Sequence, residues 1–488
     1  MKLSEYAGYD GVGLAALVRS GDVPAIEITD AAIEAIEALD PTLNALVLAD
    51  FDGARAQARR VRRDAPLAGV PFLVKDVGVY VEGWPTTHSS RFFAGAAPRA
   101  DSEIVARWRR AGVVFLGKTN TPEFADEFVT EPTLRGVTRN PWHRERSVGG
   151  SSGGAASAVA SGMVPVAAGS DVGGSIRVPA ACCGLFGLKP SRGLNPIGPY
   201  HAEGGAGLNC EHVLSRTVRD SAAFLDATAG PEAGAPYRVN RAVASYLEAL
   251  AQPVGRLRIA CVTESPGRAP LDAAIERAVL ETARALEEAG HVVERAELPD
   301  AVHAATSGEG WSLLWIMDTA LTVADRRREL GRAPTPDEVE RLTLHLVDRA
   351  ERASALDYLA VKRLAHGVSL AIARHFERYD LLLTPSTATL PPPVGSIPAD
   401  GPGFDYERWV ARSYAFAPYS ELFNVTGQPA ASLPVAMSAD GLPIGVQLVG
   451  RQDRDHVLLA VAADLERSTG WTRRHPPHWA GAEHADFR

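Results

Sequence analysis

The chain has 488 residues, 46% apolar and 22% charged, enough apolar surface for a large core without disulfides or metals. Its formal charge of −9 gives no electrostatic footprint for nucleic acid. The basic clusters Arg59, Arg60, Arg62, Arg63 and Arg326 to Arg328 sit on helical patterns among acids, as solvated helix faces do. The first residues lack the charged leader and apolar block of a secretory signal, and no apolar run approaches the roughly 20 residues of a spanning helix. A soluble, cytoplasmic protein with no membrane partner is expected. Cys182 and Cys183 are adjacent while Cys210 and Cys261 stand apart, which matches neither a disulfide framework nor a zinc site, so buried thiols are expected. No His-Glu-x-x-His pair occurs, and neither metal nor cofactor is expected.

In chain order, IEITDAAIEAIEALD (26–40) has helical spacing behind Thr29 or Asp30 as a cap, with Pro41 predicted to end it. LAGVPFLVKDV (67–77) is a short apolar run ending in Lys75 and Asp76, the pattern of a buried strand with polar groups at its C-terminal end. After the helix EIVARWRRAG, VVFLGKTN (113–120) repeats that pattern, and MVPVAAGSDVGG (163–174) is a strand followed by a Gly-rich turn. RLRIACVTES (256–265) is predicted as a strand, with helices over 271–289, 310–329 and 335–378. Strands at 380–387, 431–437 and 444–450 precede a last helix near 454–467. This alternation predicts an α/β protein whose mixed, largely parallel β-sheet core is sandwiched by α-helices. The expected organisation is one domain over 1–488, with a core at about 65–230 and 380–470 and a helix-rich elaboration at about 235–380.

SVGGSSGG (147–154) has the composition of a linker, yet AASAVASGM follows at once in helical periodicity, so the chain re-enters a packed element. A phosphate loop would need Lys-Ser or Lys-Thr after the glycines, and neither follows. The stretch formally satisfies Gly-x-Ser-x-Gly with Ser151 at its centre, but a nucleophile elbow follows a buried strand and here the polar NPWHRERSV precedes it. In GSDVGGSIRVPA, Gly173 and Gly174 let consecutive N–H groups converge just before Ser175, a nest suited to an oxyanion. No His-Asp set accompanies these serines. Lys75, at a buried strand end, is a base if desolvation keeps it neutral, or a strand-end lysine reaching solvent. Ser175 reads equally as a helix cap.

Together these residues resemble the amidase signature family of serine hydrolases. The likeness runs through SVGGSSGGAASAVASGMVPVAAGSDVGGSIRVPAACCGLFGLKPSRG (147–193), GVPFLVKD, LGKTNTPEF, TRNPW and FNVTGQPAASLPVAMSADGLPIGVQLVG (423–450), and so through most of the chain. The resemblance implies the amidase signature fold and a Ser-cisSer-Lys triad with Ser175 as nucleophile, Ser151 as bridging serine beside a cis peptide and Lys75 as general base. It places the oxyanion hole at the N–H groups of Val172, Gly173, Gly174 and Ser175. Ser152 would support the loop, and Asp171 with Arg177 would orient it as a structural pair. The implied reaction is hydrolysis of a carboxylic amide through an acyl-enzyme.

LNPIGPYHAEGGAGLNCEHVLSRTVRD departs from the long segment that A-type subunits of tRNA-dependent amidotransferases carry after the signature, which favours a free-standing hydrolase over that alternative. TEPTLRGVTRNPW, GWPTTHSSRFFAG and FNVTGQPAASLP are most similar to bacterial amidases of the 6-aminohexanoate cyclic-dimer hydrolase type. Oligoamides, aryl amides and carbamates all remain open as substrates, and the resemblance makes a homodimer a reasonable assembly. Phe124, Asp126 and Phe128 follow KTNTPE on a loop expected near the site, where Asp126 either orients a substrate or is a solvated acid. Trp311 and Trp315 share a helical face, as a core pair or as an aromatic wall of the pocket.

Overall fold

The computed structural model describes residues 1–306 and 310–482, and among them eleven strands form one mixed sheet. The strands are β1 (Leu46–Ala49), β2 (Pro71–Lys75), β3 (Val114–Thr119), β4 (Val166–Asp171), β5 (Phe186–Lys189) and β6 (Cys210–Ser215), followed by β7 (Arg258–Cys261), β8 (Val292–Arg295), β9 (Leu381–Pro385), β10 (Ala430–Met437) and β11 (Pro443–Gly450). Their order is β1-β3-β2-β4-β6-β5-β10-β11-β9-β7-β8. β2 runs parallel to β3 and β4, and β7 parallel to β8 and β9. The centre, β4-β6-β5-β10-β11-β9, is antiparallel, as is the β1 edge.

β2 is buried at all five residues because helices cover both faces of the sheet there, so it reads as a continuous apolar run and not as an alternation. On one face Phe72 packs edge-on to Trp108, 4.9 Å between ring centres, and stacks on Phe224 at 5.3 Å. Leu73 enters the core on the other face with Val114-side neighbours Leu116 and Ala167. The parallel run of β2, β3 and β4 brings Lys75, Thr119 and Asp171 to one end of the sheet, where α/β folds place their sites.

The helix Gly153–Ala160 is buried at every residue, which only small side chains allow. A Cβ on Gly154 would stand 2.4 Å from Asn120 N and 2.5 Å from Ala45 O. Backbone therefore meets backbone at this helix start.

Several element boundaries differ from the expectation. The first long helix runs Ala25–Leu43 through Pro41, whose missing N–H falls in the last turn; Asn44 in the left-handed conformation ends it. Thr29 lies inside this helix, its hydroxyl bonded to Ala25 O at 2.9 Å. The 335–378 region divides into Arg341–Arg352 and Ala355–Arg378, because Ser354 and Asp357 form a capping box that starts a new helix. The segment 235–380 also supplies β7 and β8 to the sheet. The four cysteines are buried free thiols.

Gly154→Ala is expected to cost about 3 kcal/mol in denaturant-induced unfolding, since neither contacting atom belongs to a side chain that can rotate away. A loss below about 0.5 kcal/mol would show that the helix start can shift.

Candidate active site

Lys75 ends β2 with its side chain fully buried. Its Nζ donates to Ser151 Oγ at 2.7 Å and to Ser170 Oγ at 2.9 Å. The adjacent carboxylate, Asp76, is engaged elsewhere: it pairs with Lys118 Nζ at 2.8 Å and accepts from the Thr87 hydroxyl at 2.5 Å. Lys75 thus meets hydroxyls where a carboxylate could have stood. Burial lowers its ammonium to about 7, against the opposing pull of Asp171 and Glu211.

Ser151 follows a cis Gly150–Ser151 peptide. The preceding Gly149 has φ of +75°, and a Cβ there would lie 2.8 Å from Pro179 Cα, so this turn requires glycine. Thr130 Oγ1 donates to Gly149 O at 2.9 Å and fixes the loop from outside. Ser152 N donates to Ser175 O at 3.1 Å, tying the two Gly-Ser turns to each other, while the Ser152 hydroxyl reaches Ser170 O at 3.4 Å.

The turn 172–175 is held from both sides. Asp171 accepts from Gly174 N at 2.8 Å and Ile176 N at 3.1 Å, so the Gly174 donor is already engaged. The N–H groups of Val172, Gly173 and Ser175 make no backbone hydrogen bond among the described residues. Arg177 grips the same carboxylate in a fork, Nε to Oδ2 at 3.0 Å and Nη2 to Oδ1 at 2.8 Å. Its other donors reach Ser420 O and Gln447 Oε1, both at 2.7 Å. Burial opposes the charge on Asp171, but Arg177 and Asn424 outweigh it and hold the carboxyl down to about 2. Ser420 Oγ donates to Gly173 O at 2.6 Å; a Cβ on Gly174, where φ is +136°, would collide with that hydroxyl.

Ser151, Ser170 and Ser175 face one cavity of about 100 Å³ together with Val172 and Gly173. The same cavity is lined by Phe124, Asp126, Trp315, Trp409 and Tyr414. Asp126 is half-buried: Thr319 Oγ1 donates to both its oxygens, at 3.1 and 2.9 Å, and burial pushes its carboxyl well up. Trp315 lines the cavity, whereas Trp311 lines an adjoining one of about 450 Å³. The two tryptophans therefore serve both adjoining cavities. Ser170 directly precedes Asp171 in GSD, a local signal for its place here, whereas Ser420, Asn424 and Gln447 come to the turn from some 250 positions away.

The family model for amidases matches residues 27–459. The chain is 37% identical over 477 residues to the 6-aminohexanoate-cyclic-dimer hydrolase of Paenarthrobacter ureafaciens, covering 96% of each. It superposes on a solved 6-aminohexanoate cyclic dimer hydrolase, complexed with substrate, with a TM-score of 0.92 at 35% identity, covering 97% of this chain and 99% of that one. A bacterial aryl acylamidase of the amidase signature enzymes gives a TM-score of 0.86 at 28% identity, covering 98% and 99%.

Arg177→Met should cost about 3–5 kcal/mol in equilibrium unfolding, because it leaves the buried Asp171 charge without its partner. A loss of less than about 1 kcal/mol would mean that Asn424 and the backbone donors hold that charge unaided.

Proposed function

The chain belongs to the amidase signature family and is an amidase, and from that premise we propose that it cleaves its substrate through a triad of Ser175, Ser151 and Lys75. The observation that carries this reading is the Lys75–Ser151 hydrogen bond opening onto the cavity that also holds Ser175. Neutral Lys75 takes the proton of Ser151, which takes that of Ser175, while Ser175 Oγ attacks the acyl carbon. The proton returns along the same path to the leaving nitrogen. Water then attacks the acyl-enzyme, giving its proton to the relay, and Ser175 leaves with the proton that the relay returns. The N–H groups of Val172, Gly173 and Ser175 receive the oxyanion; Gly174 shapes the turn, its own N–H being held by Asp171. Ser152, Asp171 and Arg177 position this turn.

Ser151 as nucleophile is less well supported: it is fully buried, and the residues before it form no strand. An A-type amidotransferase subunit is likewise less well supported than a free-standing hydrolase. We read the chain as one catalytic unit acting on a small amide, with Phe124, Asp126, Trp311 and Trp315 shaping the recognition surface and an oligoamide favoured by the activity named for its relatives.

Intact mass after fluorophosphonate treatment tests the triad. A single adduct mapping to Ser175 is expected, absent in Ser175→Ala and formed about 100-fold or more slowly in Lys75→Ala. An adduct that survives Ser175→Ala, or maps to Ser151, would contradict the assignment. The acid limb of kcat/KM should lie near pH 7, where Lys75 loses its proton, activity rising as pH passes through it.

A further inference from the structure

The catalytic cavity and the larger one beside it share a wall made of Trp315, Trp409, Tyr414 and Glu421. Two of the buried polar atoms that have no hydrogen-bond partner among the described residues belong to this region: Trp409 Nε1 and Ser413 Oγ. Trp409 is 5% and Ser413 1% exposed. They stand four residues apart on the helix Tyr406–Phe416, and so on one face, and both line the catalytic cavity. An indole N–H only donates, and a serine hydroxyl donates readily by rotating. Such groups cost stability when buried unpaired, so each calls for a partner that the described residues do not supply.

The geometry points to a second recognition site, in which the Trp409–Ser413 face of this helix donates to the carbonyl of a second amide in the same substrate. This rests on the amidase reading and narrows its substrate to oligoamides. Beyond Trp409 the outer cavity presents Trp311, Tyr406, Val410, Ala415 and Pro418, surfaces suited to the part of the chain that follows the second amide. Ser175 and Trp409 line the same cavity, and Trp409 also lines the outer one. A simple alkanoyl amide would fill the same apolar space and leave both donors unpaired, which is how a polar site rejects an isostere that lacks the polar group.

The test compares kcat/KM for two anilides of equal chain length, one of nonanoic acid and one of acetamidohexanoic acid, which carries the second amide. Wild type should prefer the second by about tenfold or more, and Trp409→Phe and Ser413→Ala should each reduce that ratio by about threefold. A ratio near one in wild type, or a ratio unchanged in both variants, overturns the site. Ser413→Ala, the smaller change, decides the matter if Trp409→Phe fails to fold. Fluorophosphonate labelling of Ser175 in the same preparation separates the two readings. Labelling with a ratio near one removes only the second site; no labelling and no cleavage of either anilide removes both.

Discussion

A lysine amine buried at the end of a parallel strand, touching two hydroxyls and, among the described residues, no carboxylate, is the constraint around which the site is built. An ammonium held there loses its hydration, so burial favours the neutral amine, and a neutral amine can accept a proton. Asp171 and Glu211 pull the other way, and burial outweighs them; the neighbouring Asp76 is paired with Lys118 and Thr87. The parallel strands β2 and β3 thus deliver two lysines to one end of the sheet and give the carboxylate to only one of them.

Ser151 reaches Lys75 from a turn in which glycines flank it on both sides. Gly149 takes a conformation that L-residues rarely adopt, and Gly154 lies against the backbone of Asn120 and Ala45. The second turn is shaped by charge: Asp171 collects donors from Gly174, Ile176, Arg177 and Asn424, and Arg177 extends that grip to the C-terminal part of the chain. One buried ion pair therefore joins the turn 172–175 to residues some 250 positions away.

Much of this was legible in the residues. The run VPFLV into Lys75 reads as a buried strand with a polar end, and the strand is there. The small residues after SVGGSSGG read as a packed helix and form one. The family likeness, more than spacing, assigned roles to Ser151 and Ser175, since Gly-Ser runs also make linkers and caps. β1, β5 and β8 offer only four residues each, and β6 carries buried polar residues, Glu211 and His212, that disguise a strand. The break at Ser354 is hidden because apolar periodicity continues across the cap. Trp409 and Ser413 carry no motif at all; only tertiary packing brings their helix to the catalytic cavity.

The most direct test of the account is the pH dependence of the rate at which a fluorophosphonate modifies Ser175, in wild type and in Lys75→Met. With Lys75 as the base, the rate climbs with an apparent pKa about 7 in wild type and loses that limb in the variant. A wild-type rate that is flat across the neutral range, or a limb that persists unchanged without Lys75, would contradict a neutral buried lysine as the base.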